Sequence, residues 1–129
     1  MIIRAAAFGF LLWLLATLAF RFLGHYVLFP TSAFVTPLLM LTPILMVGVT
    51  WAAIKLIRVA KGDEAEAAIG LAFPGMLLDA LVMRNFSAVF PNLDAGLDGE
   101  FGAILLLGYG AVLFTGLLLT RIAPSDERL

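Results

Sequence analysis

No cysteine occurs among the 129 residues, which excludes disulfides, thiol nucleophiles and thiolate metal sites. There is one histidine, His25, too few for a multi-histidine metal centre. Charge is scarce as well: 13% of residues are charged, where a soluble domain carries about 25%. The formal net charge is −1, so the chain has no basic footprint for nucleic acid. No motif calls for a cofactor or a metal. What abounds is apolar surface. Hydrophobic residues make up 63% of the chain, against about 45–50% in soluble domains. So small a domain has too little interior to hide that much from water. The lipid bilayer is the expected solvent and first partner.

A spanning helix needs about 20 predominantly apolar residues, because the hydrocarbon core is about 30 Å thick. Four segments qualify, at about 2–23, 35–57, 65–90 and 101–120. "FPTSAF", with Pro30, precedes the second span; the charged "RVAKGDEAE" precedes the third; "PNLDAGLDGE" precedes the fourth. The expected fold is all-α: one transmembrane domain over residues 1–129, a four-helix bundle. Short linkers predict that consecutive helices lie antiparallel as neighbours. The first apolar run is long for a signal-peptide core, so it reads as a retained span.

Lys and Arg beside span ends set orientation. Arg4, Lys55, Arg58, Lys61, Arg121 and Arg128 fall on one side, and only Arg21 and Arg84 on the other. Both termini are therefore expected in the cytoplasm, with Asp94, Asp98 and Glu100 outside. Lipid is as apolar as leucine, so close contact between spans relies on small residues. Ala5 and Gly9, Gly48 and Ala52, and the glycines at 102, 108, 110 and 116 offer such contacts. They read as packing within one chain rather than a dimer seam. Pro43 and Pro74 fall inside spans, where each removes a helix hydrogen bond and tends to kink the chain.

The candidate site is a layer of polar residues. A helix rises about 1.5 Å per residue, which places Asp79 about 21 Å and Arg84 about 28 Å from the inner edge. On the same count Thr17 lies about 22 Å and Arg21 about 28 Å up. The second and fourth spans run the other way, so Thr42 is about 10 Å and Tyr109 about 12 Å below the outer edge. Thr17, Thr42, Asp79 and Tyr109 thus share one level, with Arg21 and Arg84 above it and His25 and Tyr26 higher still. An unpartnered ionised carboxylate near the bilayer centre costs about 2.5–3.5 kcal/mol on insertion scales. Asp79 should therefore face the other helices. Arg84, five residues on, points elsewhere on the helix, so Arg21 is the expected ionic partner, with Tyr109 and Thr17 completing the hydrogen bonds. His25 reads as an interfacial polar residue, Tyr26 as part of an aromatic belt, and Trp13 and Trp51 as packing.

The stretches "LLWLLATLAFRFLG", "FPGMLLDALV" followed by Arg84, and "VFPNL" together resemble a family of bacterial four-span inner-membrane proteins of unknown function. That resemblance implies a compact four-span protein in the bacterial inner membrane and brings no substrate, cofactor or catalytic residue with it.

Two functions follow as expectations. The first is a small polytopic membrane protein without catalytic activity, a structural or accessory subunit whose polar layer fixes helix register. It would act alone, as a homodimer or within a larger complex. The alternative is a small carrier or binding protein for an anionic or amphiphilic molecule, proton-linked through Asp79. An intramembrane enzyme ranks last, because Asp79, Glu100, His25 and Ser87 show no catalytic spacing.

Overall fold

A computed structural model of the protein describes residues 2–26 and 33–121. Pro30 and Arg128, invoked above, lie outside the described residues. The chain forms α1 (Ile2–Leu23), a 3-10 turn (Gly24–Tyr26), α2 (Val35–Leu56), α3 (Glu64–Arg84), the short α4 (Phe86–Val89), a second 3-10 turn (Ala95–Leu97) and α5 (Asp98–Arg121). No strand occurs among the described residues. α1, α2, α3 and α5 are long and apolar enough to cross a membrane. A helix satisfies its own backbone, which suits a medium that offers no hydrogen bonds.

The ends of these helices follow simple chemistry. Glu64 and Glu66 open α3, and Asp98 and Glu100 open α5, each beside the positive end of the helix dipole. Arg21, Lys55, Arg84 and Arg121 stand in the last turns, beside the negative ends. α2 ends with Arg58 N–H on the Lys55 carbonyl and Val59 N–H on the Ile54 carbonyl, with Arg58 at φ 55°. That bonding pattern is normally closed by glycine, so Arg58 holds a left-handed conformation at some cost. The third helix is shorter than its apolar run. It stops at Arg84 rather than continuing to residue 90, because Asn85 leaves helical geometry and its side-chain amide donates to the Leu81 carbonyl at 3.0 Å. α4 then starts a new turn. The helices run unbroken past Pro43 and Pro74.

Neighbours differ from the expected order along the chain. α3 packs on α5 as anticipated, but α1 packs mainly on α3 and α2 mainly on α5, while α2 touches α3 only slightly. α1 and α2, consecutive in sequence, do not pack along each other. Small residues decide these pairings. A side chain at Gly9 would land on the Leu71 carbonyl, and one at Gly116 on Ala68. At Gly70 a Cβ would come within 2.9 Å of the Ala5 methyl. α3 is the central element, with 44% of its span buried against 11%, 22% and 28% for the first, second and last. The outer faces carry large exposed side chains such as Leu15, Ile44, Leu77 and Leu106. In water such a surface would be one continuous sticky patch; against acyl chains it is matched.

Two apolar clusters hold opposite ends of the bundle. One contains Val82, Phe86, Phe90, Leu93, Leu97, Phe101 and Ile104, joined by Phe20 from α1 and Val35 and Leu38 from α2. The other contains Ala5, Ala53, Ile54, Ala67 and Leu71. Between them lies the polar contact described next.

Candidate functional site

Asp79 is the acid of this site, and it is buried. Its helix brings it inward because Gly75, one turn earlier on the same face, has no side chain. A Cβ there would strike the Tyr109 hydroxyl and come within 3.3 Å of the Trp13 ring. That space lets two aromatic residues from other helices close on the carboxylate. The Trp13 indole N–H, from α1, donates to Asp79 Oδ1 at 2.8 Å. The Tyr109 hydroxyl, from α5, donates to Asp79 Oδ2. Each carboxylate oxygen thus receives a proton donor from a different helix, and α1, α3 and α5 are joined at one level. Buried polar groups left unpaired cost about 1–3 kcal/mol, which both contacts avoid.

The expected ionic partner is elsewhere. Arg21 does not reach down to Asp79; its Nη1 donates to the Val89 carbonyl, at the end of α4, at 2.6 Å. There it satisfies a carbonyl that the short helix leaves open. Arg84 is exposed in the last turn of α3. Among the described residues, Asp79 has no ion pair.

The hydroxyls of the layer also divide. Tyr109 meets the acid, as its level predicted. Thr17 is half-buried on α1 without a hydrogen bond to Asp79. Thr42 faces Gly108 across the α2–α5 contact, and its hydroxyl donates back to the Leu38 carbonyl at 2.7 Å. It shares the level and points the wrong way. His25 is exposed, its ring 4.2 Å from that of Tyr26, and its Nδ1 lies 3.2 Å from the Asn92 amide nitrogen. That amide also donates to the Phe20 carbonyl at 3.0 Å, so His25 belongs to a cap over the end of α1. Among the described residues no three His, Asp or Glu side chains converge.

Trp13 is the site residue that sequence reasoning missed. A tryptophan inside an apolar run reads as packing, yet a buried indole N–H generally finds an acceptor. Gly9, Trp13 and Thr17 are spaced by four, so they share one face of α1. Gly9 marks that face as the one pressed against a neighbour.

Beside Asp79 the four long helices leave a cavity of about 170 Å³. Its wall is mainly apolar, with Trp13, Thr17, Thr50, Asp79 and Tyr109 as its polar side chains. The two clusters close its ends. Its side lies between α1 and α2, which do not pack along each other, with exposed Ala16 and half-buried Val49 at the rim.

A chain whose described residues form four membrane-length helices, three of them joined in mid-bundle by a buried carboxylate, is an integral membrane protein. It belongs to a family of unknown function (DUF5367), which it matches over residues 26–123. That stretch contains Asp79 and Tyr109; "LLWLLATLAFRFLG", and Trp13 with it, precede it. No curated protein and no solved structure matches the chain at a significant level.

Proposed function

We propose that this protein is a small, non-catalytic subunit of the bacterial inner membrane, a structural or accessory element built as an antiparallel four-helix bundle. Both termini face the cytoplasm, and the loop bearing Asp94 and Asp98 faces outward. The observation carrying this reading is the double engagement of Asp79. Its carboxylate spends both oxygens on donors from two other helices, which suits a fastener of helix register rather than a reacting group. The orientation rests on the bias of Lys and Arg toward one side of the spans.

Two experiments test it. Asp79→Asn keeps the shape and presents an amide hydrogen where one of the two acceptors was. Interhelical hydrogen bonds in membranes average about 0.6 kcal/mol, with a maximum near 1.7. A loss of about 1 kcal/mol in unfolding titrations is therefore expected, and unchanged stability would remove the fastener. Topology is accessible because the chain has no native cysteine. Asp94→Cys should react with an impermeant thiol reagent in intact cells and Lys61→Cys only after lysis; the reverse pattern would invert the bundle.

A second reading, binding of a small or amphiphilic molecule, draws support from the cavity. Its anionic version does not, since Arg21 and Arg84 do not line that space.

A further inference from the structure

The cavity wall combines features that suit one class of ligand. Among the described residues its interior is apolar, its one acid is Asp79, and no lysine or arginine lines it. The rings of Trp13, Tyr109, Phe20 and Phe101 form part of the same wall. A carboxylate has about four lone-pair positions, and Trp13 and Tyr109 occupy two. The acid is satisfied as a hydrogen-bond acceptor but has no opposite charge among the described residues, because Arg21 is held by Val89 and Arg84 is exposed. Aromatic faces attract organic cations, most strongly where water is excluded. Anions find no counter-charge here. Neutral apolar molecules would fit the walls and leave the carboxylate unused.

We propose that this cavity is a binding site for a hydrophobic organic cation, a tertiary or quaternary ammonium with a small apolar body. Asp79 is its counter-ion and Trp13 and Tyr109 are its aromatic walls. Size supports the assignment for the ammonium head, which is close to benzene in bulk. An apolar cavity of about 150 Å³ accepts benzene, and this one is about 170 Å³. The apolar body of the ligand would lie in the opening at the rim. The rim between Ala16 and Val49 gives access from the side, where an amphiphile dissolved in the bilayer would arrive. The site deepens the binding reading above and does not depend on the fastener reading, because the same carboxylate can hold two helices and face a ligand.

The test uses the full chain in maltoside micelles, with benzyltrimethylammonium as the cation and neopentylbenzene as its uncharged isostere. Trp51→Phe leaves Trp13 as the sole indole, placed in the cavity wall. The expected result is saturable quenching of Trp13 by the cation, with binding weaker by about tenfold or more for the isostere and in Asp79→Asn. Ala16→Phe fills the rim without touching the hydrogen bonds of Asp79, so it should abolish quenching while the melting temperature holds. It carries the test should Asp79→Asn not fold. Absence of saturable quenching, equal binding of cation and isostere, or full binding in Ala16→Phe overturns the proposal. Melting of Asp79→Asn separates the two ideas: a destabilised variant of a protein that binds no cation leaves the fastener standing and ends the site.

Discussion

The two ends of the bundle are held together differently. Around Phe101 the helices are spaced by rings: Phe20 meets it edge-on at 5.1 Å between centroids, and Phe86 and Phe90 at 5.6 and 4.9 Å. At the other end Ala5, Gly9, Ala67, Ala68, Gly70 and Gly116 bring backbones into near contact. Both devices answer one constraint. Without a hydrophobic driving force between helices in lipid, association rests on van der Waals fit and a few polar contacts. Large rings fill a wide gap, and small residues remove the gap. Asp79 sits where one regime passes into the other, and the cavity beside it is the volume neither fills.

That contrast can be broken from either side. The largest effect is expected at the tight end. Gly9→Leu would drive a side chain into the Leu71 backbone, which cannot yield as a side-chain tip can. Overpacking of this kind costs about 3 kcal/mol or prevents folding. Gly110→Leu, where a side chain meets open space, should stay within about 0.5 kcal/mol. Equal losses at the two positions in unfolding titrations would show that close approach is not what joins these helices. At the aromatic end Phe101→Ala leaves a void. With little transfer energy at stake in lipid, the cavity contribution dominates, at about 2 kcal/mol. Smaller again is Tyr109→Phe, which removes one donor from Asp79 and should cost about 0.6 kcal/mol. The smallest effect has the opposite sign. Arg58→Gly relieves the left-handed residue at the end of α2 and should raise stability by about 0.5 kcal/mol; a lower melting temperature would mean that the arginine side chain matters more than its backbone.

Much of this was legible before any coordinates. Apolar run length located four long apolar helices within a few residues, except where Asn85 ended α3 early. Depth arithmetic brought Tyr109 to Asp79 because rise per residue is nearly invariant. It failed where rotation about the helix axis mattered. Thr42 shares the level of the acid and donates back to the Leu38 carbonyl, and Thr17 lines the cavity without bonding the acid. Arg21 was expected to descend, but an open backbone carbonyl on Val89 lay closer to it. An unsatisfied backbone acceptor, not the carboxylate, takes the guanidinium. Trp13 does not stand out by residue type, because an indole in a greasy run resembles any other bulky side chain. Its spacing from Gly9 carried the signal. A pocket at the polar layer was open to inference, but its walls were not, because they depend on which pairs of helices pack. Linker length favoured α1 against α2, which do not pack along each other.

The central claim is that Asp79 is held by aromatic donors from two helices rather than by an arginine. A double-mutant cycle in lipid bicelles measures this directly, pairing Asp79→Asn with Tyr109→Phe and, separately, with Arg21→Gln. The account predicts a coupling of about 0.6 kcal/mol or more for Asp79 with Tyr109, and none beyond error for Asp79 with Arg21. Strong coupling to Arg21 together with none to Tyr109 would contradict it.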